Sequence, residues 1–383
     1  MAFQSSILSQ IIKLVNRYEF QKQVSKYKGD YKVSKLSCFN LLVLMIFTHL
    51  KINKTLRDIV SGFSGVLSSF YHLGLQSVKR STISDALRKR SAQIWEDFYY
   101  SIISGLNRPA RRRLAKKMHL IDSTIISLCL SNFDWATYRK AKGGIKLHVM
   151  LAEESKIAEK IIMTKAMVHD IKAIKDKIKF QKGDFYVYDR AYACYNYLYS
   201  IELAKAYFVT RLKSNWKFQV LKNKKIRGGS GILADQLIEV TGTKHDAYPK
   251  TLRLVTFYHL ESRKKLHFLT NNFSLAAQKI AEIYKRRWQI ELFFKWIKQH
   301  LKVKSFLSTS ENGVKIQIWT ALITYVLLCL LKMRFVCEID IFEIYRRVGE
   351  HLFNRMDIYD LFGDVFFRKK PLLKYHQLEL KFG

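Results

Sequence analysis

The stretch that decides the fold is residues 284–298, which read YKRRWQIELFFKWIK. It contains no Gly or Pro, and its polar residues are good helix formers, so it is predicted to be one helix. At about 100° per residue, one face of this helix presents a single carboxylate, Glu291, among cations and aromatic rings. That face consists of Tyr284, Arg287, Glu291 and Lys298, with Trp288 and Lys295 at its edge. An apolar stripe beside it is predicted to be buried.

A carboxylate among cations has a simple explanation, because Glu291 can form i,i+4 ion pairs with Arg287 or Lys295 on a solvated helix face. The spacing Tyr-x2-Arg-x3-Glu-x6-Lys, however, resembles the signature of IS4-family DDE transposases, and four residue types at fixed spacing are quite specific. The resemblance implies that Glu291 is the third of three metal-binding carboxylates. It also implies that the other signature residues, Tyr284, Arg287 and Lys298, hold DNA near the cut.

The charge balance of the chain points to a polyanionic partner. The 383 residues include 67 Lys and Arg against 31 Asp and Glu, a formal net charge of +36. This excess is beyond what solubility requires and favours nucleic acid first and an anionic membrane surface second. Aromatic residues make up 14% of the chain, too many for a disordered basic tail, so a folded protein is predicted.

Cysteine usage and hydropathy predict a cytoplasmic protein. The five cysteines show neither a CxxC pair nor zinc-ligand spacing, and their number is odd, which fits a reducing cytosol. The N-terminus lacks the pattern of a signal peptide. The apolar runs at residues 36–50 and 316–331 are shorter than the ~20 residues of a membrane span, so buried core helices and no membrane partner are expected.

Residues 1–105 are predicted to form a helical domain. Within it, Thr82 can cap a helix that has Asp85 at its third position, and another short helix precedes it. Two short helices with a basic second one fit either a helix-turn-helix-like DNA reader or an ordinary bundle with a solvated charged face, and this region alone favours neither. The cations that would face DNA are Arg80, Arg88 and Lys89.

A basic linker is predicted at residues 106–117. It contains Pro109 and a run of Arg and Lys that includes Arg111 and Arg112. These side chains either face solvent or contact DNA phosphates, since a linker between two DNA-touching domains lies near the duplex.

At Met118 the sequence changes to the pattern of buried strands. Residues 118–130 are mostly apolar or β-branched, with Asp122 among them. A lone buried carboxylate costs several kcal/mol unless it is paired, hydrogen-bonded or bound to a metal. A functional role is therefore favoured for Asp122. Asp189 directly follows a later strand, FYVY.

Residues 118–213 as a whole are predicted to fold in the order βββαβαβ, which resembles the ribonuclease H-like core of DDE transposases. The resemblance implies that Asp122, Asp189 and Glu291 are the catalytic, metal-binding carboxylates. The DRAY sequence that begins at Asp189 is close to the family's Asp-Arg-Gly-Tyr, with Ala in place of Gly, and Arg190 is counted among the DNA contacts.

Two further acids, Asp134 and Asp170, also lie near predicted strand ends. Asp170 follows His169, and a His-Asp pair can look catalytic. The family pattern places neither acid on the metals, so structural or supporting roles are predicted for both.

The predicted fold class is α/β: a ribonuclease H-like core with a β-rich insertion, plus an α-helical N-terminal DNA-binding domain. Short β-prone pieces and glycine turns predict the insertion at residues 214–265. Residues 266–337 are predicted to return to the core, carry the Glu291 helix and add an apolar helix that covers the core. Residues 338–383 are predicted to form a C-terminal helical segment.

The resemblance implies the chemistry of a bacterial insertion-sequence transposase. Two ions of Mg²⁺ (or Mn²⁺) held by carboxylates would assist the cutting of a phosphodiester, and the freed 3′-OH would then attack another strand. The expected partners are double-stranded DNA, as the element's terminal inverted repeats and the target, and a second copy of the chain in a synaptic complex. One alternative is a DNA-binding protein with the same fold and no transposition activity. A tyrosine recombinase ranks low, because its Arg/His/Tyr set is not found.

Trp288 has two interpretations. An exposed Trp is costly, so packing against a neighbouring helix is the simple one, and Trp296 is predicted to pack in that way. The family resemblance instead implies that a Trp directly after the signature Arg pushes into the duplex and flips a base as a hairpin forms. Base stacking on an aromatic ring, worth ~1–3 kcal/mol, is comparable to the cost of unstacking.

Overall fold

The structure, a computed structural model, describes residues 5–51, 55–64, 77–110, 117–129, 133–139, 142–226, 231–241, 247–300, 306–334 and 339–365. The chain divides into two compact units. The first contains residues 1–102 and 299–383, and the second contains residues 103–298. The first unit is helical and the second is built on one large sheet, so the predicted α/β class is confirmed.

The first unit is organised around α3, which is buried at every position except Asn40. Ser37 caps its N-terminus and Ser310 caps that of α11, each accepting a hydrogen bond from a backbone N–H in the first turn. The helices of this unit are α1 (Ile7–Ile12), α2 (Arg17–Lys26), α3 (Cys38–Leu50), α4 (Leu56–Ser64), α5 (Arg80–Lys89), α11 (Glu311–Lys332) and α12 (Ile341–Glu350), and α6 (Gln93–Ala110) begins in it.

α11 packs against α3 in the first unit, where Thr320 Oγ1 lies 3.0 Å from Nε2 of the buried His49. That this helix also covers the catalytic core stays a prediction. By length and composition α11 could cross a membrane, but 89% of its most apolar window is buried inside the protein. The apolar side chains of α11 are therefore buried inside the protein as a core helix.

The local structure of α5 differs from the prediction. Lys79, not Thr82, occupies the N-cap position, and it makes no side-chain capping bond. Asp85 lies inside the helix and accepts a hydrogen bond from Arg88 Nη2 at 2.9 Å. Arg90, which ends the basic run, is buried and donates to the carbonyl of Leu36. The cations of α5 that face solvent are Arg80, Arg88 and Lys89.

The second unit contains a ten-stranded sheet with strand order β2-β3-β1-β5-β6-β10-β9-β8-β7, and β4 also pairs with β3. β3 is antiparallel to β1 and β4, whereas β1, β5 and β6 are parallel. The strands are β1 (Met118–Leu128), β2 (Thr137–Arg139), β3 (Lys142–Ala152), β4 (Ala158–Lys165), β5 (Phe185–Tyr188), β6 (Tyr207–Arg211), β7 (Phe218–Asn223), β8 (Ile232–Val240), β9 (Leu252–His259) and β10 (Lys264–Thr270).

The predicted order βββαβαβ is present in this sheet, with the short β2 as an addition. The two helices of that pattern are α7 (Asp170–Ile174) and α8 (Tyr195–Leu203). The parallel strands β1 and β5 are paired so that Ile121 lies opposite Tyr188. This register decides where the following residue of each strand lies.

The β-rich segment continues the sheet. β10 pairs with β6, and β9, β8 and β7 follow outward to the edge. Arg253 on β9 is only 2% exposed and holds both carboxylate oxygens of Asp235, at 2.8 and 2.7 Å. It also donates to the carbonyls of Asn272 (3.2 Å) and Leu275 (2.6 Å). The inserted strands are thereby tied to the segment that leads into α9 (Ala277–Lys285).

The helix predicted over residues 284–298 is interrupted. α9 ends at Lys285, and α10 (Trp288–His300) begins after a turn at Arg286 and Arg287. In this turn the Arg287 N–H bonds to the Tyr284 carbonyl at 3.0 Å, three residues back instead of four. No Gly or Pro marks the break, so helix propensity does not reveal it.

His119 on β1 provides a pH-dependent element of the second unit. Its side chain is 5% exposed and lies 2.9 Å from Asp184 and 2.8 Å from Glu159. Burial lowers the pKa of His119, but the two carboxylates outweigh this effect and raise the pKa to about 8. Protonated His119 therefore stabilises the folded state.

We predict that the free energy of unfolding falls by about 2 kcal/mol as pH rises from 6.5 to above 8, because the stabilisation is complete below the unfolded pKa and is lost through the folded one. Urea denaturation across this range measures it. His119→Gln should abolish the fall. His148→Gln should retain it, because burial lowers the pKa of His148 to about 4, outside this range. A fall that persists in His119→Gln would assign it to other groups.

Candidate active site

Two carboxylates lie side by side because of strand register. Asp122 on β1 follows Ile121, and Asp189 follows Tyr188 at the end of β5, and these two preceding residues are paired across parallel strands. Asp122 Oδ1 accepts the N–H of Ser123 at 2.8 Å, and Asp189 Oδ1 accepts the N–H of Arg190 at 2.7 Å. Each acid is therefore oriented by the backbone of the residue after it.

The third carboxylate reaches the same place through an arginine. Glu291 lies in the first turn of α10, and Arg287 precedes that helix. Arg287 Nη1 donates to Asp122 Oδ2 at 2.8 Å, and Arg287 Nη2 donates to Glu291 Oε1. The side chains of Arg287, Asp122 and Glu291 are 16%, 19% and 33% exposed. The i,i+4 ion pair of the simple interpretation is thus present, but at a partly buried cluster of acids.

The electrostatics of Asp122 reflect this cluster. Burial, with smaller contributions from the negative charges of Asp189 and Glu291, raises the pKa of Asp122 to about 6, against the opposing effects of the Ser123 N–H and the Arg287 guanidinium. Asp122 thus lies within electrostatic range of both other carboxylates, and one cation partly balances their charge.

The donor chemistry of these residues fits a hard divalent cation. Carboxylate oxygens are the ligands that Mg²⁺ and Mn²⁺ prefer, and the repulsion among three acids is what such a cation relieves. Over the described ranges, however, no three His, Cys, Asp or Glu side chains form a ready ligand set. Arg287 pairs with Asp122 and Glu291 and balances part of their negative charge.

An aromatic wall supports Arg287. Its guanidinium carbon lies 5.7 Å from the ring centre of Tyr284, and that ring packs against Phe268 of β10 at 4.8 Å. Burial raises the pKa of Tyr284, so its hydroxyl is neutral at physiological pH. Tyr284 and Arg287 of the sequence signature are therefore in direct contact with each other.

The two tryptophans of α10 differ sharply in exposure. Trp288, the first residue of the helix, is 57% exposed, whereas Trp296 is 9% exposed, as predicted. Leu292, one turn after Trp288, is also exposed at 43%. Trp288 therefore presents its ring to solvent beside the acid cluster.

The remaining predicted DNA contacts are spread over both units. Arg190 is exposed next to Asp189, and Lys298 is partly buried near the end of α10. Arg80, Arg88 and Lys89 lie on the exposed side of α5 in the first unit. Arg111 and Arg112 lie outside the described residues.

A polar cluster behind Asp122 was not predicted from the sequence. Asp170 Oδ1 accepts a hydrogen bond from Ser123 Oγ at 2.7 Å and lies 3.4 Å from both Lys146 Nζ and His148 Nδ1. Ser123 and His148 are paired between β1 and β3. The sequence feature that could have revealed this cluster is the period-two spacing of Lys146 and His148, which places both polar side chains on one face of a buried strand. These contacts agree with a supporting role for Asp170, whereas the side chain of Asp134 lies outside the description.

Comparisons with known proteins identify the class. Residues 116–327 match the family model of the transposase DDE domain, and residues 3–76 match a domain of unknown function, DUF4372. A putative transposase of Sinorhizobium fredii is 32% identical over 72% of this chain and 78% of its own length. A probable transposase for insertion sequence element IS5377 of Geobacillus stearothermophilus is 32% identical over 67% and 68%, and a putative transposase for IS4SA of Synechocystis is 31% identical over 69% and 75%.

A solved structure, a piggyBac transposase synaptic complex with hairpin DNA, matches with a TM-score of 0.46 and 12% identity over 95% of this chain and 86% of that chain. This similarity is too low to assign the fold or the function. The family match and the relatives show that the chain belongs to the DDE transposase family. The transposase interpretation of the sequence is thereby confirmed over that of a DNA-binding protein without transposition activity.

Proposed function

We propose that the chain is the transposase of an IS4-type insertion sequence and that Asp122, Asp189 and Glu291 are its catalytic carboxylates. The observation that carries the proposal is their convergence: two acids follow paired residues of parallel strands, and the third is joined to one of them by Arg287. In the order β4-β3-β1-β5-β6, β3 runs in the direction opposite to the other four strands. This arrangement supports a ribonuclease H-like core.

The three carboxylates would hold Mg²⁺ or Mn²⁺, as two ions in the family pattern, and these would supply Lewis-acid activation of a phosphodiester. Water cleaves the DNA strand and leaves a 3′-OH and a 5′-phosphate. That 3′-OH then attacks a target phosphodiester, forms the new bond and releases a target 3′-OH. Since water and then DNA are the nucleophiles, the protein's residues act by orienting and by balancing charge, and none becomes covalently attached.

The DNA itself is held by the cations and aromatic rings around the acids. Tyr284, Arg287 and Lys298 would hold phosphates near the cut, with Arg190 beside Asp189. The α5 cations, together with Arg111 and Arg112, would contact the terminal inverted repeats, and a second copy of the chain would complete the synaptic complex. The net charge of +36 supports such extended phosphate contacts.

The first prediction concerns the acids. Asp122→Asn, Asp189→Asn and Glu291→Gln should each reduce cleavage of DNA that carries the element's ends by more than the roughly 100-fold typical of supporting residues around a metal. DNA affinity should be retained, because no cation is removed. Asp176→Asn, at an exposed position, is the control and should cleave normally. Normal cleavage by any of the three variants would remove that residue from the proposed triad.

The second prediction concerns α5 in the full chain, because residues 1–102 form one unit with residues 299–383. Replacing Arg80, Arg88 and Lys89 together by Gln should weaken binding to the element's ends. The slope of log affinity against log salt should fall by about one for each lost phosphate contact. A triple Gln control at the exposed Lys172, Lys175 and Lys179 should keep the wild-type slope. An unchanged slope in the α5 variant would mean that this face is merely solvated.

The third prediction compares the two tryptophans. Trp288→Ala should leave the first nick nearly normal, slow the second-strand step and leave thermal stability nearly unchanged, because the ring is 57% exposed. Trp296→Ala should cost about 3–5 kcal/mol of stability, as a buried Trp does. Strand-resolved gels and thermal denaturation give the two readouts. If Trp288→Ala slowed both steps equally and lowered the melting temperature strongly, Trp288 would be a packing residue.

A further inference from the structure

Arg287 engages one carboxylate oxygen on each of two of the three acids. Its Nη1 and Nη2 donate to Asp122 Oδ2 and Glu291 Oε1. These oxygens belong to the carboxylates that would hold the metal. An arginine in a protein does not lose its proton, so its charge cannot be titrated away. A divalent cation at these two carboxylates therefore meets a fixed positive charge beside it and competes with Arg287 for Asp122 Oδ2 and Glu291 Oε1.

The rest of the guanidinium has fewer partners. Arg287 Nε makes no hydrogen bond to any described residue, and Tyr284 contacts the group through its ring and its side-chain hydroxyl. The residue lies in the turn between α9 and α10, directly before the exposed Trp288. Its backbone is therefore outside both helices, and a change of its side-chain rotamer leaves their hydrogen bonds intact.

A DNA phosphate is the natural new partner for the released guanidinium. Arginine pairs with phosphate in the same two-pronged way as with carboxylate. A phosphodiester placed for cleavage brings such an anion to the site. If Arg287 exchanges the two carboxylates for a phosphate, it is paired both without and with DNA. The exchange also releases Asp122 and Glu291 when the DNA substrate is bound.

We propose that Arg287 is a built-in competitor of the metal ions: without DNA it occupies Asp122 and Glu291, and metal and DNA phosphate together displace it. The inference rests on the proposed function, because it takes those carboxylates as the metal ligands. Metal loading and DNA binding are then coupled, and by thermodynamic reciprocity each strengthens the other by the same factor. A transposase built in this way loads its metals poorly until DNA arrives.

The test measures Mn²⁺ binding to the full-length, DNA-free protein by electron paramagnetic resonance of the free ion. Arg287→Gln should bind Mn²⁺ about 5–150-fold more tightly than wild type, the usual range of such couplings. Arg287→Lys, which keeps the charge but not the two-pronged pair, should lie between them and serves if the Gln variant folds poorly. Affinity in Arg287→Gln that equals or falls below that of wild type would overturn the competitor role.

The matched control is Arg286→Gln. It removes the same charge one residue away, from an arginine that is 45% exposed and lies 3.4 Å from Glu153, outside the acid pair that Arg287 bridges. Its Mn²⁺ affinity should match wild type. Equal tightening by Arg286→Gln and Arg287→Gln would show a general charge effect and would overturn the proposal.

Two further measurements separate this inference from the proposed function. In the Arg287→Gln background, Asp122→Asn and Glu291→Gln should weaken Mn²⁺ binding, and if they do not, the carboxylates are not the metal site and the proposed function itself fails. Mixed-sequence duplex DNA should tighten Mn²⁺ binding by wild type more than by Arg287→Gln. Equal tightening in both would overturn the exchange with phosphate and leave the proposed function intact.

Discussion

The second unit of this strongly basic protein brings three negatively charged side chains together, those of Asp122, Asp189 and Glu291, although like charges repel. The lysines and arginines of the chain outnumber its acids, but a general excess of positive charge does not remove the repulsion of Asp122 by Asp189 and Glu291. Two features hold Asp122 and Asp189 in place despite it: the β1–β5 register and the backbone N–H groups of Ser123 and Arg190. Because sheet register cannot slip by one residue without moving side chains to the other face, the acid pair is as fixed as the sheet.

The approach of the third acid is a different physical problem. Glu291 is carried by a helix, and helices are positioned by packing, so its distance from the strands is set by contacts along α9 and α10. Tyr284 packs on Phe268 of β10, and Ile290 on the other side of α10 is completely buried. The interruption at Arg286 and Arg287 redirects the chain between these anchors. The turn therefore belongs to the geometry of the site as much as the acids do.

Much of this arrangement was predictable from the sequence, for reasons that differ between its parts. Strand period and apolar runs gave β1, β3, β5 and β6, and the fixed spacing from Tyr284 to Lys298 gave the signature helix face. The break before Trp288 was not predictable, because every residue there favours a helix and the turn is imposed by tertiary contacts. Likewise, the apolar composition of α11 predicts that the helix is buried, but it does not predict that α3 is the helix it packs against.

The hydrogen bonds of the buried Arg253 affect where the chain can gain or lose residues. Strands β7 and β8 lie at the sheet edge, far along the strand order from β1 and β5, which carry Asp122 and Asp189, so a change of length between them is remote from the acid pair. The segment from Asn272 to Leu275 is different, because the buried guanidinium grips its carbonyls at both ends. A single residue inserted there would break one of these hydrogen bonds or shift the start of α9, and it would thereby disturb the packing of Tyr284 on Phe268. Natural variation in length should thus collect between β7 and β8 and avoid the short approach to α9.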